Sequence, residues 1–122
     1  MYLESFKDLI VWQKSVSLAK EIYIVTTKFP TSETYGIASQ IRRSSVSIAS
    51  NIAEGHRRRT KKDFLHFLCM ADGSAAELET QLIIVKDIYN KIDLSRSFFL
   101  LEEIQKMLNV IIKKLRFDLT KR

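Results

Sequence analysis

An all-α domain, folded as an antiparallel up-down-up-down four-helix bundle, is the architecture this sequence predicts, on three observations. Only 3 Gly and 1 Pro occur in 122 residues that are 46% hydrophobic, which favours long uninterrupted elements over tight turns. Apolar residues recur at alternating spacings of three and four along most of the chain. The breaks between these stretches are short, near Pro30, Gly55 to Thr60 and Lys91 to Leu94, so successive helices lie side by side and run antiparallel. One domain is expected over residues 1–122, because two halves would each bury too little surface to be stable.

The first helix is expected over residues 6–28. Leu9, Trp12, Val16, Ala19 and Tyr23 form one face, with Ile22, Val25 and Phe29 alongside, and Phe29-Pro30 ends it. The second is expected from residue 33 to about residue 55, after the potential caps Thr31 and Ser32, with Ile37, Ile41, Ile48 and Ile52 at helical spacing. Ten consecutive residues from Ser44 to Ala53 carry no charge, and most of them are small. Such a surface lets helix backbones approach closely. Tight packing inside the monomer and a subunit interface through Ser44, Ser47, Ser50 and Asn51 account for it equally well.

The third helix has the clearest signal. Phe64, Leu68, Ala71, Ala75, Leu78, Leu82, Val85 and Tyr89 are eight successive heptad-type positions. Asp72-Gly73-Ser74 resembles a turn, and Ser74 with Glu77 mimics a capping box. The apolar register is in phase on both sides, however, so one helix is expected over residues 61–90, with Gly73 as a point of close helix approach. The fourth is expected over residues 95–119, with Leu101, Ile104, Leu108, Ile111 and Leu115 as its stripe and Asp93 or Ser95 as its cap. Lys113, Lys114, Arg116, Lys121 and Arg122 suit the negative end of its dipole.

The parts needed for catalysis are missing from the sequence, and a non-enzymatic role is expected. There are 2 histidines, His56 and His66, and His66 reads as a packing residue within an apolar stretch. Glu77 and Glu79 point to different sides of a helix, and the Glu-x-x-His pairs of a di-iron bundle do not occur. Neither a phosphate-binding glycine loop nor a nucleophile elbow nor a CxxC motif is found. No metal and no cofactor is expected. The single cysteine, Cys69, lies in an apolar run where a reduced thiol packs as a small hydrophobe. The chain start leads into no long apolar segment, and nowhere do 18 apolar residues run together. A cytoplasmic protein with no membrane association is therefore expected.

The charge is concentrated. Residues 40–62 hold seven cationic groups, Arg42, Arg43, Arg57, Arg58, Arg59, Lys61 and Lys62, against Glu54 alone, an excess equal to the whole net charge of +6. Arg43 and Arg57, fourteen residues apart, fall within roughly 40° of one side of a continuous helix, about 21 Å apart along its axis. A cationic stripe of this kind holds RNA or DNA through phosphates without reading sequence. A solubilising loop is the plain alternative, and no aromatic residue is interleaved with the cluster for base stacking.

The segment from Glu33 to Gly55, ETYGIASQIRRSSVSIASNIAEG, closely resembles the signature of bacterial four-helix bundle proteins first noticed as products of 23S rRNA intervening sequences. Leu9-Ile10-Val11-Trp12, Phe29-Pro30 and the segment Gly73 to Leu82 also look like features of that family. The likeness weakens only in the last helix. It implies a four-helix bundle that assembles into a homo-oligomer, a ring-like pentamer with a basic surface. A related branch, the accessory variability determinants of diversity-generating retroelements, binds a reverse transcriptase and nucleic acid, so a protein partner of that kind is also implied. The leading expectation is a non-catalytic homo-oligomeric module binding RNA or DNA backbones. The alternative is a protein-binding adaptor or scaffold, with the small-residue helix and acidic pairs such as Glu102-Glu103 making the contacts.

Overall fold

The computed structural model of the protein describes residues 5–121. Four α-helices fill most of it: α1 Ile10–Thr26, α2 Ile37–Arg57, α3 Lys61–Ile88 and α4 Ser95–Thr120, with 3-10 turns at Phe6–Asp8 and Thr31–Glu33 and no strand among the described residues. Contacts between side chains give the direction of each helix. Lys14 meets Glu103 and Glu21 approaches Arg96, so α1 and α4 are antiparallel. Ser44 bonds Gln81 while Ser47 bonds Ser74, and Lys61 meets Asp118 while Glu79 meets Gln105, which makes α2, α3 and α4 antiparallel in turn. Each helix packs only on its neighbours round the bundle, α1 on α2 and α4, and α3 on α2 and α4.

The register of α3 is as its heptads require. Leu68, Ala71, Ala75, Leu78, Leu82 and Val85 are buried, with Phe64 and Tyr89 half-buried at the two ends. The helix runs unbroken through Asp72-Gly73-Ser74, started by Thr60, whose hydroxyl accepts from the Asp63 amide. Gly73, however, is exposed, and a Cβ there would meet nothing within 4 Å. The close approach falls instead at Gly55, where a Cβ would lie 2.6 Å from the Phe67 Cβ.

Helix α1 is rotated from the expected orientation. Its core side is Val11, Ser15, Leu18, Ile22 and Val25, while Trp12, Val16 and Ala19 are half-buried and Tyr23 is exposed. Ser15 breaks the apolar period on the true core face, because its hydroxyl is satisfied within the helix by donating to the Val11 carbonyl at 2.7 Å. The helix also begins later than residue 6. Leu9 is extended, at φ −76° and ψ 123°, and separates the 3-10 turn, whose Phe6 ring packs edge-on to Trp12, from α1.

In the second helix the expected start at residue 33 gives way to a 3-10 turn containing both Thr31 and Ser32, and α2 begins after Gly36. Glu33 is tied across the bundle end by the Tyr89 hydroxyl, which donates to it and whose pKa this carboxylate raises. At the start of α4 the N-cap position falls on Leu94 rather than on Asp93 or Ser95; Asp93, one residue before it, accepts bonds from the Ser95 side chain and amide that hold its carboxyl below the usual carboxylate range. Ile112 rather than Ile111 completes the buried stripe of α4. Arg122 lies outside the described residues.

Candidate nucleic-acid interface

The α2–α3 connection is three residues long, and its geometry fans out the basic side chains. Arg58 caps α2, its amide bonding the Gly55 carbonyl, and Arg59 turns the chain with φ 71° before Thr60 opens α3. The left-handed conformation at Arg59 is one that glycine or asparagine normally supplies at a helix end. Arg59→Gly is therefore expected to stabilise the fold by about 0.5–1 kcal/mol, read as a higher denaturation midpoint in urea with an unchanged slope. An unchanged or lower midpoint would show that the arginine side chain makes up for its backbone strain.

The seven expected cations divide into two groups. Arg42 faces α1, where its Nε donates to Thr26 Oγ1 at 2.8 Å and its guanidinium lies 4.8 Å from the centre of the Tyr23 ring. Arg58 pairs with Glu54 at 2.8 Å and stacks on Phe67, and Lys61 pairs with Asp118 at 3.2 Å. These three have partners within the chain. Arg43, Arg57, Arg59 and Lys62 are exposed and make no ion pair among the described residues. Because α2 is continuous through Arg57, Arg43 and Arg57 do share one side of it.

Reading charge along the chain hides part of this surface. The end of α4 lies beside the start of α3, so Lys113, Lys114, Arg116 and Lys121 join the α2–α3 turn at the same pole of the bundle. Nine cations gather there from residues 57–62 and 113–121, against Glu54, Asp63 and Asp118. Summing charge by bundle end, which the antiparallel topology permits, brings out the α4 contribution, which along the chain reads only as pairing with the helix dipole. At this density the pole attracts polyanions and repels other cations.

The expected interface residues on α2 separate as well. The buried Ser44 hydroxyl donates to Gln81 Oε1 at 2.8 Å, Ser47 shares a hydrogen with Ser74 at 2.9 Å, and Asn51 donates back to Ser47. All of these bonds are internal to the chain. Ser50 instead lies with Val46, Ala49 and Ala53 along an open apolar groove whose other wall is Trp12, Val16 and Tyr23 of α1.

His66 is exposed rather than packed, with its ring edge-on to Phe67, and Cys69 is only half-buried, with Arg116 Nη2 3.7 Å from its sulfur. Both sit beside the heptad positions and not on them. No group of three or more histidine, cysteine or acidic side chains suited to a metal ion occurs among the described residues, and no helix is long and apolar enough to cross a membrane.

Comparison with known proteins adds one finding. No curated protein matches the chain. The model of the 23S rRNA-intervening sequence protein family matches residues 7–110, which carry the signature, the first three helices and the unpaired Arg43, Arg57, Arg59 and Lys62, and the chain belongs to that family.

Proposed function

We propose that the protein is a non-catalytic, cytoplasmic, homo-oligomeric module that binds RNA or DNA backbones through its basic pole. The observation that carries this reading is the gathering of cations from two distant chain segments at one bundle end, three of those around the α2–α3 turn, Arg57, Arg59 and Lys62, making no ion pair among the described residues. The family's name, which refers to 23S rRNA, supports a connection to RNA. Fluorescence anisotropy with a labelled oligonucleotide tests it. Affinity should fall steeply with salt, with a log–log slope of about −2 for three phosphates on a single strand, and binding insensitive to salt would sink the reading.

The apolar groove between α1 and α2 favours contact with protein, and in the oligomer it takes a neighbouring subunit; a ring-like pentamer is the assembly the family resemblance implies. The competing adaptor reading, including a partner such as a reverse transcriptase, uses the same groove. Val46, 41% exposed in its wall, is the position to change. Val46→Arg is expected to dissociate the assembly to the 14.2 kDa chain with helical content unchanged. Ser47→Arg should instead weaken the fold by about 1–3 kcal/mol, since its hydroxyl is opposed by Ser74. Light scattering after gel filtration, with circular dichroism on each peak, distinguishes the two. A wild-type protein that elutes as a monomer at every concentration would remove the oligomer from the proposal.

A further inference from the structure

We infer that Phe117 is a base-stacking platform, so that the basic pole takes single-stranded RNA or DNA in preference to duplex. The inference rests on the nucleic-acid reading above and sharpens it. Phe117 is 64% exposed and its ring makes no aromatic or cation contact among the described residues. Such a ring on the solvent side of a helix does nothing for the core. Its surroundings are specific: on α4, Lys114 and Lys113 stand three and four before it, the spacings at which side chains are neighbours on one face, and Lys121, whose amide bonds the Phe117 carbonyl at 3.0 Å, follows just past the helix end. All three lysines are exposed and make no ion pair among the described residues.

One nucleotide can thus set its base on the ring and its phosphates on ammonium groups either side. That combination of aromatic face and backbone cations is how single strands are held without sequence preference. A duplex keeps its bases stacked on each other and can offer this ring little. The other aromatic rings near the pole are covered, Phe67 beneath Arg58 and Phe64 against His56. Next to the platform Asp118 pairs with Lys61, which joins it to the cations of the α2–α3 turn. Phe117 lies beyond the family match at residues 7–110.

The test is anisotropy with a labelled 20-nucleotide thymidine strand and a 20-base-pair duplex at fixed low salt, using wild type, Phe117→Ala and Phe117→Trp. Wild type should bind the strand more tightly. Phe117→Ala should weaken strand binding about tenfold and duplex binding hardly at all, and Phe117→Trp should restore it with quenching of the new indole on binding. Equal losses on strand and duplex, or no loss, would overturn the platform while leaving the basic pole intact. If wild type binds neither oligonucleotide in a salt-sensitive way, the broader reading falls too, and Phe117-dependent binding to anionic vesicles in its place would assign the face to a membrane surface.

Discussion

Gly55→Ala is expected to destabilise the bundle by about 2 kcal/mol, while the same change at Gly73 is expected to stabilise it by about 0.5–1 kcal/mol. Both glycines are helical, so their backbone preferences favour alanine alike, and what separates them is space. At Gly55 the new methyl would meet the Phe67 Cβ at 2.6 Å and the Phe64 ring at 3.2 Å. A Cβ is fixed to its backbone and cannot swing aside, so α2 and α3 have to part there. At Gly73 the methyl enters open space and only removes backbone freedom from the unfolded chain. Thermal melts at one fixed protein concentration, which an oligomer requires, should place the Gly55 variant roughly 5–10 °C below wild type and the Gly73 variant a few degrees above. A Gly55 variant melting at or above wild type would mean that the helices do not approach there as described.

These two residues also show what the sequence makes legible. Periodicity reports which residues of a helix face inward, so the unbroken course of α3 through Asp72-Gly73-Ser74 was readable from the phase of Leu68, Ala71, Ala75 and Leu78. It does not report how near the next helix comes. That depends on the partner's side chains, here Phe64 and Phe67 opposite Gly55, which are visible only once α2 and α3 are side by side. The orientation of α1 differs from its periodicity for a related reason: Ile22, Val25 and Phe29 are buried as expected, but a serine that satisfies its own hydroxyl, Ser15, is as good a core residue as a small apolar one, yet it hides the core stripe and lets the Trp12-Val16-Tyr23 stripe stand out. The charge cluster was legible as composition and not as function, since nothing in the order of residues says that Arg42 turns to Thr26 and Tyr23 while Arg43, one position on, stays in solvent.

That division among the arginines and lysines is the basis of the largest binding effect to be expected. Changing Arg57→Ser, Arg59→Gly and Lys62→Ser together removes three exposed cations that make no ion pair among the described residues, so the salt slope of nucleic-acid binding should flatten by about two to three units per subunit engaged. Affinity should fall for unrelated RNA and DNA sequences alike, because phosphate contacts position without specifying. Stability should hold or rise, since the glycine relieves the left-handed backbone at residue 59. Arg42→Ser is the counterpart. It breaks the bond to the buried Thr26 and the stacking on Tyr23, so it should lower stability by about 1–2 kcal/mol and leave the salt slope as it was. The same contrast bears on Arg58, whose bond to Glu54 and contact with Phe67 make it a support for the turn, so that an all-arginine replacement across residues 57–59 would mix loss of binding with loss of structure. If Arg42→Ser flattens the slope as much as the triple change does, the cations act only as a diffuse field and the pole is not a site. If the triple variant binds with the wild-type slope, the phosphates lie elsewhere and the apolar groove between α1 and α2 becomes the working surface of a protein scaffold.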